Sequence, residues 1–181
     1  EAGTPARGVQ TFFRTVYPNH LELSSIADNK ANMMISINSI VLTLIVAMFS
    51  VSVGTTQELK NSSYVLPIAL FIATALASLV IAVLSVIPKV TRLNSKQMQR
   101  AELARNMIFF GNFVDLSPHE YEQIMQEVLT DSQLLYGNMT RDLYYLGKVL
   151  QQKYRLLSLS YRVFLIGLTL SVASFLVVVF L

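Results

Sequence analysis

The polar and apolar positions divide the chain into three long apolar windows separated by charged segments. Residues 31–57, 61–88 and 163–181 contain no Asp, Glu, Lys, Arg or His. About 18 to 20 apolar residues are needed to cross a hydrocarbon core about 30 Å thick. Each window reaches that length. The pattern therefore predicts three transmembrane helices, with spans at about 33–53, 64–88 and 163–181.

The segment between the second and third spans has the pattern of water-facing helices. Ser117, Pro118 and Glu120 form a capping-box sequence, because Ser can accept a hydrogen bond from the third amide and Glu can reach back. Thr130 and Asp131 can cap a further helix, and no Pro follows them. Residues 90–110 contain good helix formers and few breakers, so span two is predicted to continue as a helix there. We further predict a short helix to about Leu129, then one long helix that continues into span three.

These elements define an all-α integral membrane protein with three transmembrane helices and a cytoplasmic helical subdomain between spans two and three. The composition agrees, since 53% of the residues are hydrophobic and only 14% are charged. The predicted segments are a cytoplasmic N-terminal segment with the helix entry (1–32), a transmembrane hairpin (33–88), the cytoplasmic subdomain (89–162) and the third transmembrane helix (163–181).

The basic residues predict the orientation. Ten of the fourteen Lys and Arg residues lie between Lys89 and Arg162. Cytoplasmic loops carry an excess of Lys and Arg, so the N-terminus and residues 89–162 are predicted to be cytoplasmic and the C-terminus to be outside. The residues predicted to act as cytoplasmic basic anchors are Lys89, Arg92, Lys153, Arg155 and Arg162.

A series of polar residues follows one face of the first helix at three- and four-residue steps. Its members are Ser25, Asn29, Asn32, Ser36, Ser39, Thr43 and, one heptad later, Ser50. Polar groups without partners are costly in lipid, so this face is predicted to meet other helices or water. Two interpretations remain open: a water-lined pore face shared by several copies, or a packing face where small and polar residues hydrogen-bond between helices.

Two further features belong to packing and anchoring. Asp28 and Lys30 form the entry to span one, where we predict anchoring or gating contacts rather than catalysis. Small residues at intervals suited to close helix packing occur in the other spans: Ala69, Ala73, Ala77, Thr74, Ser78, Ala82, Gly167 and Ser171.

The sequence lacks the residue patterns of enzymes and cofactor-binding proteins. There is no Cys, and His20 and His119 belong to no motif with metal-ligand spacing. Phosphate-binding loops and nucleophile elbows are also missing. We therefore predict no catalytic, cofactor-binding or metal-binding residues, and the net charge of +3 is too small to indicate a nucleic acid partner.

Several segments resemble the Pycsar-type bacterial transmembrane effectors. Some members of that family are fused to a histidine-aspartate phosphohydrolase domain. The hallmark is an Ala-Asp-x-Lys-Ala-Asn stretch before the first span, which here is Ala27, Asp28, Asn29, Lys30, Ala31 and Asn32. The segments "NMIFFGNFVDLSPHEYEQ" and "MTRDLYYLGKVLQQKYRLLSLSYRVFLIGL" are also similar to that family. The resemblance covers nearly the whole chain.

The resemblance implies a non-enzymatic antiphage effector in the bacterial inner membrane. A cyclic pyrimidine nucleotide, sensed by this chain or by a region before Glu1, would act as the trigger. The effector would form homo-oligomers that impair the membrane by a pore or by disruption. The alternative is a membrane anchor and oligomerisation module for an upstream enzymatic or sensory domain, since Glu1 in place of Met indicates a fragment.

Overall fold

The computed structural model describes residues 6–55, 62–87, 104–108, 113, 114 and 116–180. Within these ranges the protein contains four long or intermediate α-helices and no β-strand. Their bounds are Ala6–Thr55 (α1), Ser62–Val86 (α2), Pro118–Thr130 (α3) and Ser132–Phe180 (α4). The all-helical fold class is therefore confirmed, whereas the predicted helix over residues 90–110 lies mostly outside the described residues.

Three of these helices are long and apolar enough to cross a membrane. They are α1, α2 and α4, with apolar windows of mean hydropathy 1.9, 2.6 and 2.7. Such windows suit a hydrocarbon core, because a helix satisfies its own backbone hydrogen bonds there. The three predicted spans are thus found on three helices.

The capping box predicted from Ser117 and Glu120 starts helix α3. The Ser117 hydroxyl accepts a hydrogen bond from the Glu120 backbone N–H at 3.4 Å, and the Glu120 carboxylate accepts one from the Ser117 backbone N–H at 3.0 Å. Hydrogen bonds from Ser117 hold the pKa of Glu120 below its ordinary value. Asp131 then caps α4, because its carboxylate accepts from the backbone N–H of Gln133 at 2.8 Å. Both predicted helix starts are confirmed.

The chain forms two compact units. The first, called the helical subdomain, comprises Glu1–Leu23 and Pro88–Gln151; the second, called the membrane bundle, comprises Ser24–Ile87 and Gln152–Leu181. Helices α1 and α4 each contribute one part to each unit.

The helical subdomain has a small apolar core, and the buried side chain of Asn138 forms hydrogen bonds beside it. Its core residues are Ala104, Met107, Ile124 and Val128. Asn138 on α4 is 1% exposed; its side-chain amide donates to the Ala104 carbonyl, and its oxygen accepts from the Met107 N–H, both at 2.7 Å. Buried backbone groups outside a helix need such partners, so Asn138 holds the 104–107 backbone against α4.

In the membrane bundle, α2 and α4 are antiparallel. Contacts pair Pro67 with Ser171, Phe71 with Phe164, Ser78 with Ser160 and Ser85 with Lys153. Many large apolar side chains of the three helices remain exposed in the single chain, for example Ile40, Leu66 and Leu165, which are 57% to 67% exposed. An exposed apolar surface of this kind suits contact with lipid or other membrane helices.

Candidate functional site

The polar series of α1 lies on the surface of the single chain. Its six described members are all exposed: Ser25, Asn29, Asn32, Ser36, Ser39 and Thr43. We call these six residues the polar stripe; the side chain of Ser50 lies outside the described residues. The hydroxyls of Ser36 and Thr43 donate to the carbonyls one turn earlier at 2.9 and 2.8 Å, which satisfies their protons.

A different face of α1 packs inside the membrane bundle. Ala27, Ala31, Met34 and Asn38 follow one another at steps of four, three and four, and each is at most 1% exposed. Three- and four-residue steps place side chains on one face of a helix. The polar stripe is therefore separate from the face on which α1 meets the rest of its own bundle.

The interior of the membrane bundle contains a polar seam formed by Asn38, Ser78 and Ser160. All three are fully buried. The Asn38 side-chain amide donates to the Ser78 hydroxyl at 3.2 Å, and the Ser78 and Ser160 hydroxyls donate to each other's carbonyls at 3.0 and 2.8 Å. The seam links all three helices of the bundle through hydrogen bonds that satisfy most of its polar atoms. The Asn38 side-chain oxygen is buried without a hydrogen-bond partner among the described residues.

Close contact between α2 and α4 depends on a glycine. A Cβ atom added at Gly167 would collide with the Thr74 side chain. Of the two small-residue series predicted on α2, the one with Ser78 and Ala82 is buried, whereas Ala69, Ala73 and Ala77 are exposed. Small residues let helix backbones approach closely. Helix α2 therefore packs against its own chain with the face that carries Ser78 and Ala82.

An ion pair lies at one end of the membrane bundle. The Lys153 ammonium lies 2.8 Å from both carboxylate oxygens of Asp28 and donates to the Ser24 hydroxyl at 3.1 Å. The Lys153 carbonyl accepts from Ser85 at 3.4 Å, so α1, α2 and α4 meet at this residue. The predicted entry residue Asp28 and the predicted anchor Lys153 are thus partners of each other, a pairing that the sequence analysis did not foresee.

The remaining predicted entry and anchor residues divide into two groups. Lys30, Arg155 and Arg162 are exposed, and the Tyr161 hydroxyl donates to the Lys30 carbonyl at 3.4 Å. Lys89 and Arg92 lie outside the described residues.

A second polar contact, in the helical subdomain, joins α1 and α4. Asp142 is 4% exposed; its carboxylate accepts a hydrogen bond from the Tyr17 hydroxyl, and its second oxygen has no described partner. Burial raises the pKa of Asp142, and burial together with Asp142 raises the pKa of Tyr17 to about 12. The site is outside the predicted spans, and the sequence analysis did not single it out.

The helical subdomain also has an open cleft of about 340 Å³. Phe13, Leu135, Tyr136 and Met139 form apolar walls, and Gln10 and Arg14 contribute polar groups. The rings of Phe13 and Tyr136 are stacked, with centroids 6.3 Å apart and an interplanar angle of 10°. The cleft thus presents aromatic and aliphatic side chains next to the Arg14 guanidinium.

Comparison with protein families decides what kind of protein carries these features. The model of the Pycsar effector protein domain matches residues 11–181. The chain belongs to this family. As a Pycsar effector, the protein is a transmembrane effector of antiviral defence, and the match confirms the family resemblance found in the sequence. No curated protein and no solved structure matches the chain.

Family membership leaves the roles of individual residues in this Pycsar effector as predictions. Among the described residues, no group of three or more His, Asp or Glu side chains could hold a metal ion. The described residues offer hydrogen bonding along the polar stripe and the polar seam, ion pairing at Asp28, and an aromatic cleft.

Proposed function

We propose that this Pycsar effector acts by self-association in the bacterial inner membrane, where its assembly impairs membrane integrity as a pore or by disruption. The observation that carries the proposal is the polar stripe: six polar side chains on a membrane-crossing helix are exposed in the single chain, and four of them, Asn32, Ser36, Ser39 and Thr43, lie within the apolar window 31–57. Polar groups on a surface that meets acyl chains lose the hydrogen bonds that water would supply. Contact with a second copy, or with water shared between copies, removes that loss.

The stripe is also suited to self-association by its residue types. Ser, Thr and Asn hydrogen-bond across helices, and the serines let backbones approach closely. A stripe at three- and four-residue steps presents one continuous face over about five helical turns. The same face lines a water-filled pore if several copies surround an axis, and packs copies together if they do not.

We propose that a cyclic pyrimidine nucleotide promotes the membrane-damaging assembly. A trigger shifts an equilibrium only if it binds one state more tightly than the other. The cleft of the helical subdomain supports a role for this chain in sensing, because aromatic rings stack on bases and Arg binds phosphate. Loss of nucleotide binding in Arg14→Gln, with binding kept in the control Arg7→Gln, would support that site; equal binding by both variants would exclude it.

The membrane proposal is tested by release of dye and of potassium ions from liposomes that contain the purified chain, with and without cyclic pyrimidine nucleotides. The test variant is Ser36→Leu with Ser39→Leu, and the control is Thr169→Leu, an exposed hydroxyl on α4 that donates to the carbonyl one turn earlier. We expect leakage from the wild type and the control and a loss of at least tenfold in the stripe variant.

Other outcomes separate the alternatives. Leakage that is unchanged in the stripe variant excludes the stripe as the assembly face. Liposomes that stay tight under every condition favour the alternative function, a membrane anchor and oligomerisation module for an enzymatic or sensory domain.

A further inference from the structure

The end of the membrane bundle that contains the Asp28–Lys153 ion pair has an excess of positive charge. Of the residues that the structure describes, five charged ones lie there, four cations and one carboxylate: Asp28, Lys30, Lys153, Arg155 and Arg162. Lys153 is occupied by Asp28 at 2.8 Å. Lys30, Arg155 and Arg162 are exposed and form no ion pair with a described residue. Three positive charges therefore remain uncompensated.

These charges lie at the boundary between the charged part of the chain and its apolar windows. Lys30 is the last charged residue before the apolar window 31–57, and Arg162 is the last before 163–181. Tyr161, the neighbour of Arg162 in the sequence, donates its hydroxyl to the Lys30 carbonyl and so joins α4 to α1 in this region. Arg155 lies two helical turns earlier on the exposed side of α4. The uncompensated charges thus form a rim that extends over about two helical turns at this end of the bundle.

The surface just beyond this rim is apolar and exposed. On α1 it begins with Met33 and Ile37, which are 61% and 43% exposed, and on α4 with Leu165 and Ile166, which are 57% and 59% exposed. Acyl chains cover such a surface in a bilayer, so the rim lies at the depth of the lipid headgroups. Long Lys and Arg side chains extend toward headgroups from this depth.

We propose that Lys30, Arg155 and Arg162 form a binding surface for the phosphate-bearing headgroup of an anionic phospholipid. Guanidinium groups bind phosphate oxygens with paired hydrogen bonds, and the lysine adds a point charge. The Tyr161 ring beside them suits the interfacial region. The carboxylate that would repel an anionic headgroup, Asp28, is neutralised by Lys153. This surface requires only that the chain is inserted in a membrane, and does not depend on assembly or leakage.

The test measures lipid association by the intact chain of residues 1–181 in phosphatidylcholine liposomes doped with spin-labelled phosphatidylglycerol or spin-labelled phosphatidylcholine. The immobilised fraction of each spin label gives the preference for the anionic lipid. We expect the wild type to prefer phosphatidylglycerol, and we expect the preference to fall by up to about fivefold for each cation removed in Arg155→Gln and Arg162→Gln. Added NaCl reduces the preference because it screens the charges.

The matched control is Lys148→Gln, which removes one exposed charge from the same helix, seven residues before Arg155 and inside the helical subdomain. It should keep the wild-type preference. Equal immobilisation of both lipids by the wild type, or an equal loss in the control, would overturn the proposal. Competition by soluble glycerol phosphate at millimolar concentration would also overturn it in favour of a free phosphate site. Circular dichroism checks that each variant is folded, and Lys30→Gln provides an independent variant on α1.

Discussion

Lys153 on α4 contacts both carboxylate oxygens of Asp28 on α1 at 2.8 Å, and the lysine side chain is only 16% exposed. Ser24 accepts a third hydrogen bond from the same ammonium group. A lysine with this set of partners is held in one position, in contrast to a surface lysine that moves freely in water. The ion pair therefore fixes how α1 and α4 meet at this end of the bundle.

Replacing Asp28 by Asn should destabilise the membrane bundle, because the half-buried ammonium group loses its counter-charge. The expected loss is about 2 kcal/mol, between the values typical of exposed and of buried pairs. Unfolding of the purified chain in mixed micelles measures it. The double variant Asp28→Asn with Lys153→Met should recover part of the loss. If the loss of stability in the double variant equals the sum of the losses in the two single variants, the ion pair contributes no coupling energy.

The variant Gly167→Ala should destabilise the contact between α2 and α4, since the new methyl group collides with the Thr74 side chain. Overpacking of a well-packed contact costs about 1–3 kcal/mol. The variant Gly167→Ala with Thr74→Ala should restore most of the stability, because the smaller residue makes room. Thermal unfolding in detergent compares the two. A double variant as unstable as the single one would contradict this account.

Substitutions in the polar seam should change the stability of the membrane bundle by unequal amounts. Ser78→Ala removes the hydroxyl that bonds to both Asn38 and Ser160, with an expected loss of about 1 kcal/mol. Asn38→Leu keeps the branched shape and the number of heavy atoms of the side chain and removes the Asn38 oxygen, which has no described partner. We expect it to be neutral or stabilising. A larger loss of stability in Asn38→Leu than in Ser78→Ala would contradict this prediction.

The stability of the helical subdomain should depend on the protonation of Asp142. Because burial raises its pKa above the ordinary value of 3.8, the folded state binds the proton more tightly than the unfolded state. The stability that this tighter proton binding gives to the folded state is fully present below pH 3.8, and it is lost as the pH rises through the raised pKa of Asp142. Asp142→Asn should therefore be more stable than the wild type at pH 7, with a difference that shrinks between pH 7 and pH 4. A constant difference over this range would refute the prediction.

The sequence was sufficient to predict features that depend on local patterns. The three apolar windows gave the three crossing helices, and Ser117 with Glu120 gave the start of α3. Both signals act over a few neighbouring residues or one long window, so no knowledge of the tertiary contacts is needed. Helical spacing also places the polar stripe on one face of α1, and the role of that face stays a prediction.

Contacts between distant segments could not be predicted in the same way. Asp28 and Lys153 are separated by 125 positions, and Ser78 and Ser160 by 82. A partly buried ion pair depends on how two helices align, and no single-helix pattern contains that information. One signal was present but unused: Ala27, Ala31, Met34 and Asn38 continue at helical steps beside the stripe, with small residues that suit a packing face.

The exposed position of the polar stripe has a consequence for how much of the protein a cell can tolerate. If copies must meet through this face to cause damage, the damaging species forms by mass action, and its amount rises more steeply than the amount of protein. A modest increase in expression would then be harmful even without infection, while a modest decrease would leave infected cells unprotected. The expression level would thus be constrained from both directions.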